Sequence, residues 1–61
     1  MSHAKTFTEF NEWINAVLDA DVMDQVKTDP HTYEVVQDGC VMAYWDRDLR
    51  VGAISNELLD A

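Results

Sequence analysis

Two hydrophobic periods divide the chain at its single proline, Pro30. Before it, Phe7, Phe10, Trp13, Ile14, Val17 and Leu18 recur at intervals of three and four, which predicts a helix with one apolar stripe. Thr6 and Glu9 have the spacing of a capping box at its start. A straight continuation would drive Asp21 into the apolar stripe, so the helix is expected to break near Asp19–Asp21. Asp21 would then cap a second, shorter helix that turns Val22, Met23 and Val26 inward. Thr28-Asp29-Pro30 closes that segment, because proline disfavours helical geometry in the residue before it.

After Pro30 the period becomes two. Residues 32–37 and 40–45 flank Asp38-Gly39, a strong hairpin signal. A regular two-residue turn pairs Gln37 with Cys40, Val36 with Val41, Val35 with Met42 and Tyr33 with Tyr44. One sheet face would carry Tyr33, Val35, Cys40, Met42 and Tyr44 toward the helix. The other would leave Glu34, Val36, Val41 and Trp45 outward. Asp46-Arg47-Asp48 reads as a turn into a third strand over 49–54, with Val51 beside Tyr44, Arg50 beside Trp45 and Ile54 facing outward. Ser55 can cap a last half-turn through Leu58 and Leu59. The expected fold is α+β: one or two N-terminal helices packed on a three-stranded antiparallel β-meander, forming one domain over 1–61 with a frayed tail at 1–5.

Composition narrows the class. The 61 residues are 48% hydrophobic, which suits a globular chain, and carry a formal net charge of −8. A chain this short buries only about 60% of its unfolded surface, so a partner would add useful stability. A surface this negative repels nucleic acid and anionic membranes, and excludes both as direct partners. No apolar run approaches the roughly 20 residues needed to cross a bilayer. With no basic-then-apolar leader and a lone cysteine, the expectation is a cytoplasmic protein.

Catalytic and cofactor chemistry find little support. Cys40 and His31 are the sole candidates for a thiol–imidazole pair, but Cys40 falls on the inward face, where it serves as a small hydrophobe. Asp19-x-Asp21 and Asp46-x-Asp48 offer oxygen pairs without the glycine and distal glutamate of a calcium loop. His3 and His31 are too far apart in sequence to suggest zinc. Phosphate cradles need glycine-rich backbone or clustered cations, whereas the chain has two glycines and four Lys+Arg. The expectation is a non-enzyme with no cofactor and no metal.

The charge pattern remains. Between Thr6 and Val26 there are five carboxylates and no lysine or arginine. Surface helices commonly mix signs, since opposite charges at i,i+4 stabilise and like charges repel. Carboxylates three and seven residues apart lie about 5 to 10 Å apart along a helix, comparable to phosphates along one nucleic-acid strand. Glu9, Glu12, Asn15, Asp19, Asp21 and Asp24 are therefore expected to form a nucleic-acid-mimicking face. Its partner would be a basic, nucleic-acid-handling protein that the chain inhibits or regulates. The alternative is self-association, as a homodimer, through an outer sheet patch of Val36, Val41, Trp45 and Ile54.

Overall fold

Asp38 and Gly39 both adopt positive φ, 51° and 78°, as a two-residue turn of the primed kind requires. They join β3 (Thr32–Gln37) to β4 (Cys40–Asp46) in the hairpin that organises the sheet. The computed structural model describes residues 4–60. Five antiparallel strands lie in the order β1-β5-β4-β3-β2, where β1 is Ala4–Phe7, β2 is Val26–Thr28 and β5 is Val51–Ser55. The expected meander is thus the middle of a wider sheet. The helix α1 (Phe10–Asp19) links β1 at one edge to β2 at the other, and packs against β1, β4 and β5. The half-turn after β5 forms as α2 (Asn56–Leu59), with Ser55 Oγ accepting from the Glu57 N–H at 3.3 Å.

The core faces α1. Trp13 and Val17 on the helix stripe are fully buried, and with Phe7, Val22, Val35, Ala43, Trp45, Ile54 and Leu58 they form one cluster. Burying an aromatic or branched side chain of this size contributes about 1.5–3 kcal/mol. The Trp13 indole also donates to the Ala53 carbonyl at 3.1 Å, so its buried N–H is satisfied. Gly52 makes the packing possible: a Cβ there would stand 2.6 Å from the Tyr44 carbonyl oxygen and 2.7 Å from the Trp45 ring.

A bulge changes which residues reach that core. Val36 pairs with Val41, but Val35 pairs with Ala43, so Met42 is an extra residue in β4. Past it the regular register slips by one and both faces of β4 exchange. Tyr33 therefore opposes Trp45 rather than Tyr44. Trp45 is 4% exposed and Ile54, opposite Ala43, is fully buried, where both were expected outward. Tyr44 was expected inward and is 42% exposed; Met42 is half-buried beside the core. Cys40 was also expected inward but is exposed at the hairpin end. In β5, Val51 pairs with Asp46 and Gly52 with Trp45, two places from the expected register, because Arg47–Arg50 all belong to the turn.

The N-terminal half departs further. Ala4 and Lys5 are not a frayed tail but the start of β1, held by pairing with Ser55 and Ile54; Met1–His3 lie outside the described residues. Thr6 sits in that strand opposite Ala53, so the capping box with Glu9 does not form; Glu9 is the N-cap and makes no side-chain cap bond. At the other end of α1, Asp21 does not start a second helix. It takes φ 60° one residue past the C-cap Ala20, while Asp21 N–H donates to Leu18 O and Val22 N–H to Val17 O. That is a Schellman closure, with buried Val22 and Val17 as its apolar contact. The expected second helix is one 3-10 turn, Met23–Gln25, followed by β2.

Candidate functional site

The stripe opposite Trp13 and Val17 presents Glu12, Asn15 and Asp19. At about 100° per residue they fall within roughly 60° of one another around the axis, and Glu12 and Asp19 are separated by about 10 Å along it. All three are exposed, as are Glu9, Asp21 and Asp24. Among the described residues the one ion pair is His31–Asp48, so none of these five carboxylates is neutralised by Lys5, Lys27, Arg47 or Arg50. The six residues do not share one ridge of helix. Glu12, Asn15 and Asp19 do; Asp21 and Asp24 follow in the Schellman closure and the 3-10 turn; Glu9 stands at the other end, beside Phe10.

Two of the carboxylates occupy places the fold does not favour. Asp19 is the last residue of α1, at the negative end of the helix dipole, and that last turn holds no basic residue. Asp21 takes the left-handed conformation that such closures usually give to glycine. Glu12, in the first turn, is by contrast well placed for the dipole.

The other acidic pairs serve the backbone. Asp46 Oδ1 accepts from the N–H groups of Asp48 and Leu49, both at 2.9 Å, and so shapes the turn into β5. Asp29 Oδ1 accepts from His31 N–H at 3.0 Å and Thr32 N–H at 3.3 Å, and Oδ2 accepts from the Thr32 hydroxyl at 3.1 Å. The bond from His31 N–H, foremost among these, holds the Asp29 carboxyl below its ordinary value of 3.8. The His31 ring meets Asp48 at 2.8 Å, and the Arg47 guanidinium donates to the Asp29 carbonyl at 3.0 Å. His31 adjoins one end of β3 and Cys40 the other, so strand length alone holds them about 20 Å apart. The thiol–imidazole pair does not form.

The patch expected for self-association is not assembled either. Trp45 and Ile54 are in the core, Val36 is half-buried, and Val41 alone of the four is well exposed. Its neighbours on the outer face are Tyr44, Ala53 and Ser55, which with Ala4 line a shallow depression.

A feature that the sequence reading missed lies at the start of α1. Thr8, Glu9, Phe10, Tyr33, Trp45, Arg47 and Arg50 line a cavity of about 360 Å³. Its signal in the sequence was the closeness of Arg47 and Arg50 in a chain with four Lys+Arg in all. Seeing it required knowing that Trp45 faces the helix.

No helix among the described residues is long and apolar enough to cross a membrane. Comparison with protein-family models, with curated proteins and with solved structures finds no match to this chain.

Proposed function

We propose that the chain is a non-enzymatic binding module, acting in a reducing compartment such as the cytoplasm. Its acidic side, Glu12 and Asp19 with Asp21 and Asp24 beyond them, docks on the nucleic-acid-binding surface of a basic protein and inhibits or regulates it. The observation that carries this reading is the placement of the acids. They are exposed and, among the described residues, unpaired, and Asp19 and Asp21 stand where stability alone favours a cation and a glycine. Complementary fields would make the association fast and strongly dependent on salt. The exposed free thiol of Cys40 suits a reducing environment.

The experiment is capture from the native host on immobilised wild type and on the Glu12→Lys/Asp19→Lys variant. A basic partner should be retained at low salt, eluted as salt rises, and missed by the variant while the variant keeps its fold by circular dichroism. A partner held equally by the variant, or indifferent to salt, sinks the reading.

Self-association is a second reading, favoured by Val41 at 53% and Tyr44 at 42% exposed on the outer sheet face. It predicts a dimer by light scattering that Tyr44→Glu dissociates and that salt leaves intact. A monomer at high concentration excludes it.

A further inference from the structure

Two of the chain's four Lys+Arg residues, Arg47 and Arg50, meet in one cavity whose walls include three aromatic rings, Phe10, Tyr33 and Trp45. Phe10 packs on the other two rings: it lies 5.7 Å from Tyr33 and 5.4 Å from Trp45 between centroids. Arg47 is fixed. Its guanidinium stacks 4.8 Å above the Tyr33 ring while Nη1 donates to Asp29 O, and its remaining N–H groups are uncommitted among the described residues. Arg50 is free, with no side-chain hydrogen bond or ion pair among the described residues. A concave site with an apolar floor and a few convergent polar groups is the usual form of a small-ligand pocket.

We infer that this cavity binds a singly charged carboxylate carried on a flat or aromatic body. The guanidinium forks match a carboxylate, and the exposed Phe10 and half-buried Tyr33 rings receive the apolar part, with buried Trp45 behind them. The charge limit follows from the surroundings. Glu9 lines the same cavity, so two guanidiniums and one carboxylate leave a single net positive charge. The field of a chain at −8 opposes anything more highly charged, which excludes nucleic acid and triphosphates here. The site is separate from the exposed stripe on α1 and does not depend on the function proposed for it.

Such a carboxylate can belong to a free aromatic acid or to the C-terminus of a peptide ending in an aromatic residue. Phenylacetate represents the first and N-acetyl-phenylalanine the second. Each is titrated into the isotope-labelled full chain, following backbone amide shifts and the Trp45 indole signal. A ligand of this size held between the guanidiniums and the rings of this open groove should bind with a Kd of about 1 mM or tighter. Shifts should centre on Phe10, Tyr33, Trp45 and Arg50. Replacing the carboxylate by N-acetyl-phenylalaninamide, and separately Arg50→Gln, should each weaken binding by about fivefold or more, since each removes a charge-assisted contact. Arg50→Gln changes an exposed side chain that makes no hydrogen bond or ion pair among the described residues, so the fold should be retained. The tighter of the two acids identifies the source. Absence of saturation by either acid, shifts centred elsewhere, or losses below fivefold overturn the proposal.

Discussion

The indole N–H of Trp13 and the carbonyl of Ala53, 40 residues apart, form a buried 3.1 Å hydrogen bond that ties α1 to the middle of the sheet. Trp13 is fully buried, with rings of Phe10, Tyr33 and Trp45 around it at 6.0 to 6.4 Å. Trp13→Phe keeps most of the apolar volume and deletes the donor. It should lose about 1–3 kcal/mol, the range for stranding a buried acceptor, with some added void. Trp13→Ala should lose about 3–5 kcal/mol, a large share of what a domain this small has. Urea unfolding of the two variants checks both; a Trp13→Phe variant as stable as wild type would mean that packing alone matters and the hydrogen bond contributes nothing.

Gly52 tests the packing next to that contact. An added methyl would meet a main-chain oxygen at 2.6 Å and the Trp45 ring at 2.7 Å, neither of which can withdraw without moving the sheet or the core. Gly52→Ala should therefore destabilise by about 1–3 kcal/mol, although alanine is better than glycine at most strand positions. Each kcal/mol lowers Tm by about 4–8 °C in a domain of this size. An unchanged Tm would show that β5 and the Tyr44–Trp45 segment of β4 are not packed this closely.

How far the sequence reveals the fold turns on Met42. Asp38-Gly39 marks the hairpin because the turn geometry demands those residue types, and the Trp13/Val17 stripe marks α1 because period and burial coincide. A bulge has no comparable signal. A regular register from the turn sends Trp45 outward, and Ile54 follows it because β5 pairs on β4. One extra residue thus inverts two core positions and scatters the expected self-association patch. The edge strands are hidden for other reasons. Phe7 lies three residues before Phe10 and mimics the helix stripe, while β1 is stabilised by pairing with the far end of the chain. Val22 and Val26 likewise have helical spacing, yet one completes a helix C-cap and the other begins an edge strand. The exposure of Glu12, Asn15 and Asp19 is legible because it follows from the stripe they oppose. The arginine cavity is not, since it needs Trp45 on the inner side.

The bulge can be tested by removal. Deleting Met42 leaves Val41 followed directly by Ala43, so Val36 can still pair with Val41 and Val35 with Ala43, now in an unbroken ladder. The fold should persist with Trp45 buried, at a loss of about 1–2 kcal/mol for the half-buried methionine. Blue-shifted tryptophan emission in the deletion variant checks this. Emission like that of the unfolded chain would show that the bulge is required.

Acid stability has a local contribution at the β2–β3 turn. The Asp29 carboxyl is lowered from 3.8, chiefly by the His31 N–H, against an opposing effect of desolvation and with lesser help from the Thr32 hydroxyl and N–H. A folded-state value below the unfolded one contributes stability that is complete above the unfolded value and disappears as pH falls through the folded one. Asp29→Asn retains an acceptor but cannot ionise. Its deficit against wild type should be largest at neutral pH and shrink below pH 3.8. Urea midpoints measured on either side of that value check it; a deficit independent of pH would assign the effect to geometry rather than charge.

The acids of the stripe separate stability from binding. If Asp19 and Asp21 are kept for a cationic partner, replacing them should help the free protein. Asp19→Lys puts a cation at the negative end of α1 and should gain about 0.3–1 kcal/mol at low salt. Asp21→Gly relieves a left-handed residue and should gain about 1 kcal/mol. Glu12→Lys should go the other way by a few tenths of a kcal/mol, because a first-turn acid suits the dipole. Partner binding should fall in all three. Thermal unfolding alongside the capture assay gives both readouts. Variants that gain stability and still bind would leave the acids to solubility alone; variants that lose stability would show that Asp19 and Asp21 have structural partners in the native chain.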